Sequence, residues 1–343
     1  MKKLLLFLFS FLSLTALAQP AGTYYQAADG KMAVELKTAL FQIISPHEVQ
    51  SYTPGVWNAI NSYDLRADGK IWDIYSGISN FTPKDDQDKG EDIKEEGIVY
   101  NREHAMPKSW FNEKTDDYPM FTDLHHLFPT DRSVNSMRSN YPYGEVDKTK
   151  NPTKQSAGGF SKFGRCGDEL GYKVSGMNGR VFEPNDEFKG DLARVYFYMA
   201  TCYESYKSGG KDRSPMDWES DMLTSDVYPF FTDWALDMLL RWAEQDPVSD
   251  KEINRNEAIF GIQKNRNPFV DYPGLEQYIW GNSMNVAFSY NNYTRPVVTG
   301  ISELHKLVTP ESNATYDLKG RRVNGSNLRK GIYIRNGKKV VVK

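Results

Sequence analysis

Cysteine is scarce. Cys166 and Cys202 are the only two in 343 residues, which excludes a disulfide-stapled scaffold and a cysteine-rich zinc module. One bridge between them stays open for an oxidising compartment, as does a pair of buried thiols. Beyond the first residues no run approaches the ~20 apolar residues of a membrane helix, so no stable membrane span is expected. Positive charge is not in surplus: 42 Lys and Arg stand against 45 Asp and Glu, a net charge of −3. That excludes a protein that coats nucleic acid through bulk charge. It leaves room for an enzyme that must release a nucleic-acid product, because a bound cation can supply charge where the phosphate reacts. Only five histidines occur, and none stands in a His-Glu-x-x-His pattern, so the best-known zinc-hydrolase signature is missing.

What is there begins with Met1-Lys2-Lys3, an apolar run from Leu4 to Leu17, and Ala16-Leu17-Ala18. A charged start, a short apolar stretch and a small-residue site describe a secretory signal peptide over residues 1–18. No cysteine follows it, which argues against a lipoprotein anchor. Removing Lys2 and Lys3 with it takes the net charge from −3 to −5. The expected product is exported, to the outside or to the cell surface.

The remaining chain suits one large domain and a small segment. From Tyr24 to about Ile60 the text reads helical, with Leu36, Leu40, Ile43 and Ile44 at helical offsets. Trp72-Asp73-Ile74-Tyr75 reads as a strand, and the charged run Lys84–Glu96 as a solvated loop. Residues 101–145 are dense in polar residues and poor in periodicity, as around a site. Helical text returns over residues 191–207, Tyr228–Ala243 and Asn254–Gln263. Gly331-Ile332-Tyr333-Ile334 and Val340-Val341-Val342 flank Asn336-Gly337, a two-residue hairpin signal. A boundary falls near residue 296, giving a main domain over 19–295 and a tail over 296–343.

Hydrolysis of a phosphodiester needs a base to activate water, a cation to offset charge, and a grip on the phosphate. Asn101-Arg102-Glu103-His104 can supply the first two. His104 has an ordinary pKa near neutrality; Glu103 is a hard oxygen donor, and Pro107 favours a turn that brings both to one cavity. The second cluster runs Asp123-Leu124-His125-His126-Leu127-Phe128-Pro129, then Val134-Asn135-Ser136-Met137-Arg138-Ser139-Asn140. Three of the five histidines fall within 23 residues. Glu and Asn oxygens suit Mg²⁺ or Ca²⁺, whereas the histidines leave zinc as a rival. Asn135 and Arg138 are three apart and share a helix face.

These motifs resemble the endonuclease I family of secreted or periplasmic nucleases with a ββα-metal site. Phe182-Glu183-Pro184, Gly190–Met199 and Gln263–Val270 are similar too, so the resemblance covers roughly residues 60–285. It implies an α+β fold, a helix-rich body around a ββα-metal nuclease site, with a short C-terminal β segment. It implies an endonuclease acting on DNA, with RNA a further substrate, with little sequence specificity. His104 matches the general base, and Glu103 and Asn135 match the metal ligands. The metal is Mg²⁺, with Ca²⁺ or Mn²⁺ fitting the same donors, and the products carry 5′-phosphate ends. Relatives hold the phosphate with an Arg between the Glu-His pair and the Asn ligand. Here the only Arg in that interval is Arg132, three residues before Asn135, so the role does not carry over directly. Arg138 and Arg194 are the candidate catalytic cations. Arg102, His126, Arg132, Asn140 and Arg266 are the candidate substrate contacts, His126 standing where many relatives have Asn.

Tyr316–Val323, Leu328–Ile334 and Gly337–Val340 resemble the sorting domain of the type IX secretion system. That implies the secretion machinery as a partner. Ten Lys and Arg against two Asp and Glu from Lys306 to Lys343 keep a nucleic-acid-binding arm open. Two other readings of the main domain also stand: a secreted metal-containing binding module, and a zinc hydrolase of another ester.

Overall fold

In the computed structural model, residues 23–111, 118–167, 179–208, 220–296, 315–317, 322–323, 331–335 and 338–342 are described. The expected signal segment lies outside them. The chain divides into two compact units, one ending at Pro296 and one running Val297–Lys343. The architecture is mixed α+β with a helix-rich body.

Leu36, Ala39, Leu40 and Ile44 form the buried stripe of α1 (Ala33–Ile44). Pro46 lacks the N–H that would continue it, and helix resumes only at α2 (Trp57–Tyr63). The helical stretch expected from Tyr24 to Ile60 is therefore broken. Trp72–Tyr75 is not a strand. The Asp73 carboxylate accepts from the backbone N–H of Tyr75 at 2.7 Å and of Asp131 at 2.9 Å, and from the Ser79 hydroxyl at 2.5 Å. Those bonds turn the chain and leave nothing to extend.

β1 (Tyr100–His104) and β2 (Leu127–Asp131) pair antiparallel, with His104 opposite Leu127 and Tyr100 opposite Asp131. α3 (Arg132–Arg138) follows at once. Asp131 caps it, its Oδ1 accepting from the N–H of Ser133 at 2.8 Å and of Val134 at 3.1 Å. Two strands and a helix thus occupy the stretch whose text reads irregular. β2 is buried at all five positions, so it carries no alternation to read.

β3 (Lys154–Gln155), β4 (Lys162–Arg165) and β5 (Arg180–Glu183) make a second antiparallel sheet in that order. α4 (Lys189–Cys202) is buried at every position, as a helix covered on all sides must be. After α5 (Glu204–Ser208) comes α6 (Asp233–Gln245), which packs Ala235, Met238, Leu239 and Trp242 inward; α1 and α6 both lie against α4. α7 (Asp250–Gln263) starts with a capping box between Ser249 and Glu252. α8 (Pro268–Asp271) and α9 (Leu275–Ile279) complete the body. Cys166 and Cys202 are not bonded to each other. Among the described residues no helix is long and apolar enough to cross a membrane.

The second unit is a sheet of β6 (Thr315–Asp317), β7 (Arg322–Val323), β8 (Gly331–Arg335) and β9 (Lys338–Val342), ordered β7-β6-β8-β9. Arg335 pairs with Lys338, the register of a two-residue hairpin.

Candidate active site

Side chains alternate along a strand, so β1 sends Arg102 and His104 to one face and Asn101 and Glu103 to the other. Their partners follow that division. The His104 ring is buried, stacked on Phe121 at 4.9 Å between centroids, with Tyr52 at 6.0 Å. Its Nε2 lies 2.9 Å from the Phe121 carbonyl oxygen. A carbonyl only accepts, so the proton sits on Nε2 and Nδ1 keeps its lone pair. Among the described residues nothing hydrogen-bonds Nδ1. Burial, with His126 adjacent, holds the imidazole pKa well below its ordinary value, so the ring is neutral near pH 7.

Glu103 is buried on the α3 side. Its Oε1 accepts from Arg138 Nη1 at 2.5 Å and from the Tyr75 hydroxyl at 2.8 Å; Oε2 takes neither. Burial raises the carboxyl pKa, while Arg138, Tyr75 and the nearby Asn135 amide pull against it. Asn135 Nδ2 donates to Asn101 Oδ1 at 2.8 Å and to Thr130 Oγ1 at 3.3 Å, which leaves the amide oxygen as the uncommitted end. The structure thus brings Glu103 and Asn135 together, with His104 across the strand end.

Arg138 shares the α3 face with Asn135, but it points inward. It also donates to the carbonyls of His104 at 2.9 Å and Ala105 at 2.6 Å, and it is fully buried. It holds the end of β1 and is not placed to grip a phosphate. Arg194 is likewise spent inside the body, on Glu252 at 2.6 Å and Asp191 at 3.2 Å. Arg266 is spent on Asp271 at 2.8 Å and Glu257 at 2.7 Å. Neither meets the expectation of a phosphate contact. Arg132 pairs with Asp88 at 3.3 Å and donates to the Glu91 carbonyl. Asn140 Nδ2 donates to Ser109 Oγ at 3.2 Å. Arg102 rests on Tyr52 and Trp57.

The histidine-rich run has a different duty. His126 is fully buried and donates from Nε2 to the Met120 carbonyl at 2.6 Å, so it cannot meet substrate directly. His125 packs on Tyr198 at 4.5 Å. Burial brings both pKa values down to about 4. Between them and the body stands Asp123. Its Oδ1 accepts from the His125 N–H at 2.8 Å and from Gln263 at 2.9 Å; its Oδ2 accepts from Tyr198 at 2.7 Å and Tyr203 at 2.6 Å. Burial opposes its charge, but His47, His125, His126 and the Tyr203 hydroxyl outweigh it and hold the carboxyl below the usual range. Ligating atoms of His47, Asp123 and Cys202 lie within 4.8 Å of one another. That trio shares no residue with the Glu103–Asn135 pair, and its carboxylate is already saturated.

The family model described as Endonuclease I matches residues 32–274. The chain belongs to the endonuclease I family. It is a nuclease, a phosphodiester hydrolase, and the match takes in the helical body as well as the ββα unit. The chain is 35% identical over 279 residues to the extracellular ribonuclease of Bacillus subtilis, covering 79% of this chain and 84% of that one. It is 36% identical over 261 residues to the extracellular ribonuclease of Bacillus amyloliquefaciens, covering 75% and 78%. It is 26% identical over 159 residues to an extracellular deoxyribonuclease of Aeromonas hydrophila, covering 46% and 53%.

Sequence reasoning missed Tyr75, which reaches Glu103 from 28 residues upstream, and the Phe121 carbonyl, which fixes the His104 tautomer. Neither carries a local signal: a backbone oxygen has no residue type, and Tyr75 is one of 21 tyrosines.

Proposed function

We propose that this protein is an exported, metal-dependent nuclease cutting DNA and RNA with little sequence preference, with His104 as the base. The observation that carries this reading is the committed Nε2–H, which leaves Nδ1 as a neutral acceptor. Nδ1 takes a proton from the attacking water as its oxygen bonds to phosphorus, and the bond from phosphorus to the 3′-oxygen breaks. The leaving 3′-oxygen takes a proton from solvent, so products carry 5′-phosphate and 3′-hydroxyl ends. Glu103 Oε2 and Asn135 Oδ1 fit a hard cation such as Mg²⁺, both being oxygen donors. Such an ion would offset charge on the phosphate and the leaving oxygen. Arg138 and Tyr75 hold Glu103 in place from behind.

The relatives named as ribonucleases match along most of the chain, and those named as deoxyribonucleases over less, which supports both sugars as substrates. Their extracellular naming supports export, and the C-terminal β unit, with Gly331-Ile332-Tyr333-Ile334 in its hairpin, supports its reading as a sorting address. The deciding assay measures cleavage of plasmid, single-stranded DNA and RNA by wild type and His104→Ala, with Mg²⁺ and with EDTA. General-base catalysis is worth ~10²–10⁴-fold. A variant keeping more than a tenth of the rate overturns His104 as the base, and EDTA-resistant cleavage overturns the metal.

A further inference from the structure

Arg102 is the one arginine of the five discussed above that meets no carboxylate among the described residues. Its guanidinium carbon sits 3.4 Å from the centroid of the Tyr52 ring and 4.4 Å from that of Trp57. Nη1 donates to the Tyr52 carbonyl and, at 3.1 Å, to Thr53 Oγ1, which accounts for both its hydrogens. Nε and Nη2 donate to nothing among the described residues, and neither is sealed from solvent. The acid that acts on the group is Asp88, already paired with Arg132. A half-buried guanidinium without a counter-charge is costly to keep, and an anionic ligand removes that cost. The side-on edge of Nε and Nη2 is the fork that takes two oxygens of one phosphate.

Its place is specific as well. Arg102 and His104 lie two apart on the same face of β1, roughly 7 Å along the strand. That is close to the step between successive phosphates of an extended nucleic-acid strand. Tyr52 touches both, under the guanidinium on one side and beside the imidazole on the other.

We propose that Arg102, held rigid by Tyr52 and Trp57, is the subsite for the phosphodiester next to the one being cut, gripping it bidentately through Nε and Nη2. This rests on the reading of His104 as the base, since that locates the scissile phosphate.

The test pairs a neutral linkage in the substrate with a neutral side chain in the protein. Oligonucleotides of the sugar type the wild type cleaves carry one cleavable linkage, with a methylphosphonate on its 5′ or its 3′ side. Wild type should lose about ten- to a hundredfold in kcat/KM on one of the two, the worth of a charged hydrogen-bonded contact. Arg102→Gln should lose as much on the all-phosphate substrate, then nothing further on that methylphosphonate. Binding of the uncut strand in EDTA should show a salt slope shallower by about one. Arg102→Lys keeps the cation but loses the fork; it should recover the salt slope and only part of kcat/KM, and it guards against a Gln variant that fails to fold. If wild type cleaves but the methylphosphonate loss persists in full in Arg102→Gln, the subsite is wrong and the nuclease reading stands. If wild type cleaves nothing, the failure belongs to the proposed function.

Discussion

A buried carboxylate must be aimed, and at Glu103 the aiming is done by two donors on one oxygen. Arg138→Met would strand Glu103 without its counter-charge, a loss expected to cost roughly 3–5 kcal/mol in urea denaturation. Tyr75→Phe is gentler. The fold should survive, and the Mg²⁺ concentration for half-maximal activity should rise about tenfold, as for partners of metal ligands generally. An unchanged Mg²⁺ requirement in Tyr75→Phe would mean that its hydroxyl does not position the carboxylate. His125 and His126 make a prediction about acid. Burial depresses both to about 4, against about 6.5 unfolded. Their neutral forms therefore contribute stability present in full above pH 6.5 and lost as pH falls toward 4. His126→Asn should flatten the fall in Tm across that window, and an equally steep profile would count against it. At this scale the grouping of Glu103 with Asn135, and His104 at the end of β1, was legible through the family resemblance, because the motifs stand in a recognisable order. The arginines were not: sequence identifies a guanidinium but not its counter-ion, and Arg138, Arg194 and Arg266 all proved to have one inside the body.

Among the elements, α3 is the shortest with so much hung on it. Its seven residues carry both Asn135 and Arg138, and an isolated helix of that length does not hold in water. Asp131 compensates, capping α3 through Oδ1 and accepting from the Gly97 N–H through Oδ2 at 2.6 Å. Asp131→Ala should cost about 1–2 kcal/mol and lower activity beyond what that loss of stability explains. Full activity in a destabilised Asp131→Ala would show that the helix start does not matter to the site. α4, α6 and α7 were read from the text nearly where they lie, whereas α1 was read as part of a helix running on to Ile60. β1, β2 and α3 were legible only through resemblance, because five-residue strands buried or polar on both faces offer no period. Trp72–Tyr75 misled for a related reason: aromatic and β-branched residues suggest a strand, but the Asp73 side chain competes for the backbone.

For the molecule as a whole, the boundary between units sets a prediction about truncation. The Tyr278 hydroxyl donates to the Thr294 carbonyl at 2.9 Å, and the Tyr293 hydroxyl to that of Pro273 at 2.9 Å, so the body needs its last residues. A chain ending at Pro296 should cleave like the full chain at low and high salt, while a host making only that shorter chain should fail to deliver it outside. A large loss at low salt alone would instead mark the tail as a nucleic-acid-binding arm. The saturated Asp123 has a consequence in time. It ties the turn before β2 to Tyr198 and Tyr203 and, 140 residues along, to Gln263, while Arg255 of α7 donates to the carbonyls of Leu124 and Leu127. Residues 100–138 are made first, yet what steadies them emerges from the ribosome more than a hundred residues later. A half-made chain should therefore be a blunt blade, its capacity to cut nucleic acid arriving only with α7. Chains stopped before Asn254 should be inert on every substrate, even with Mg²⁺ in excess.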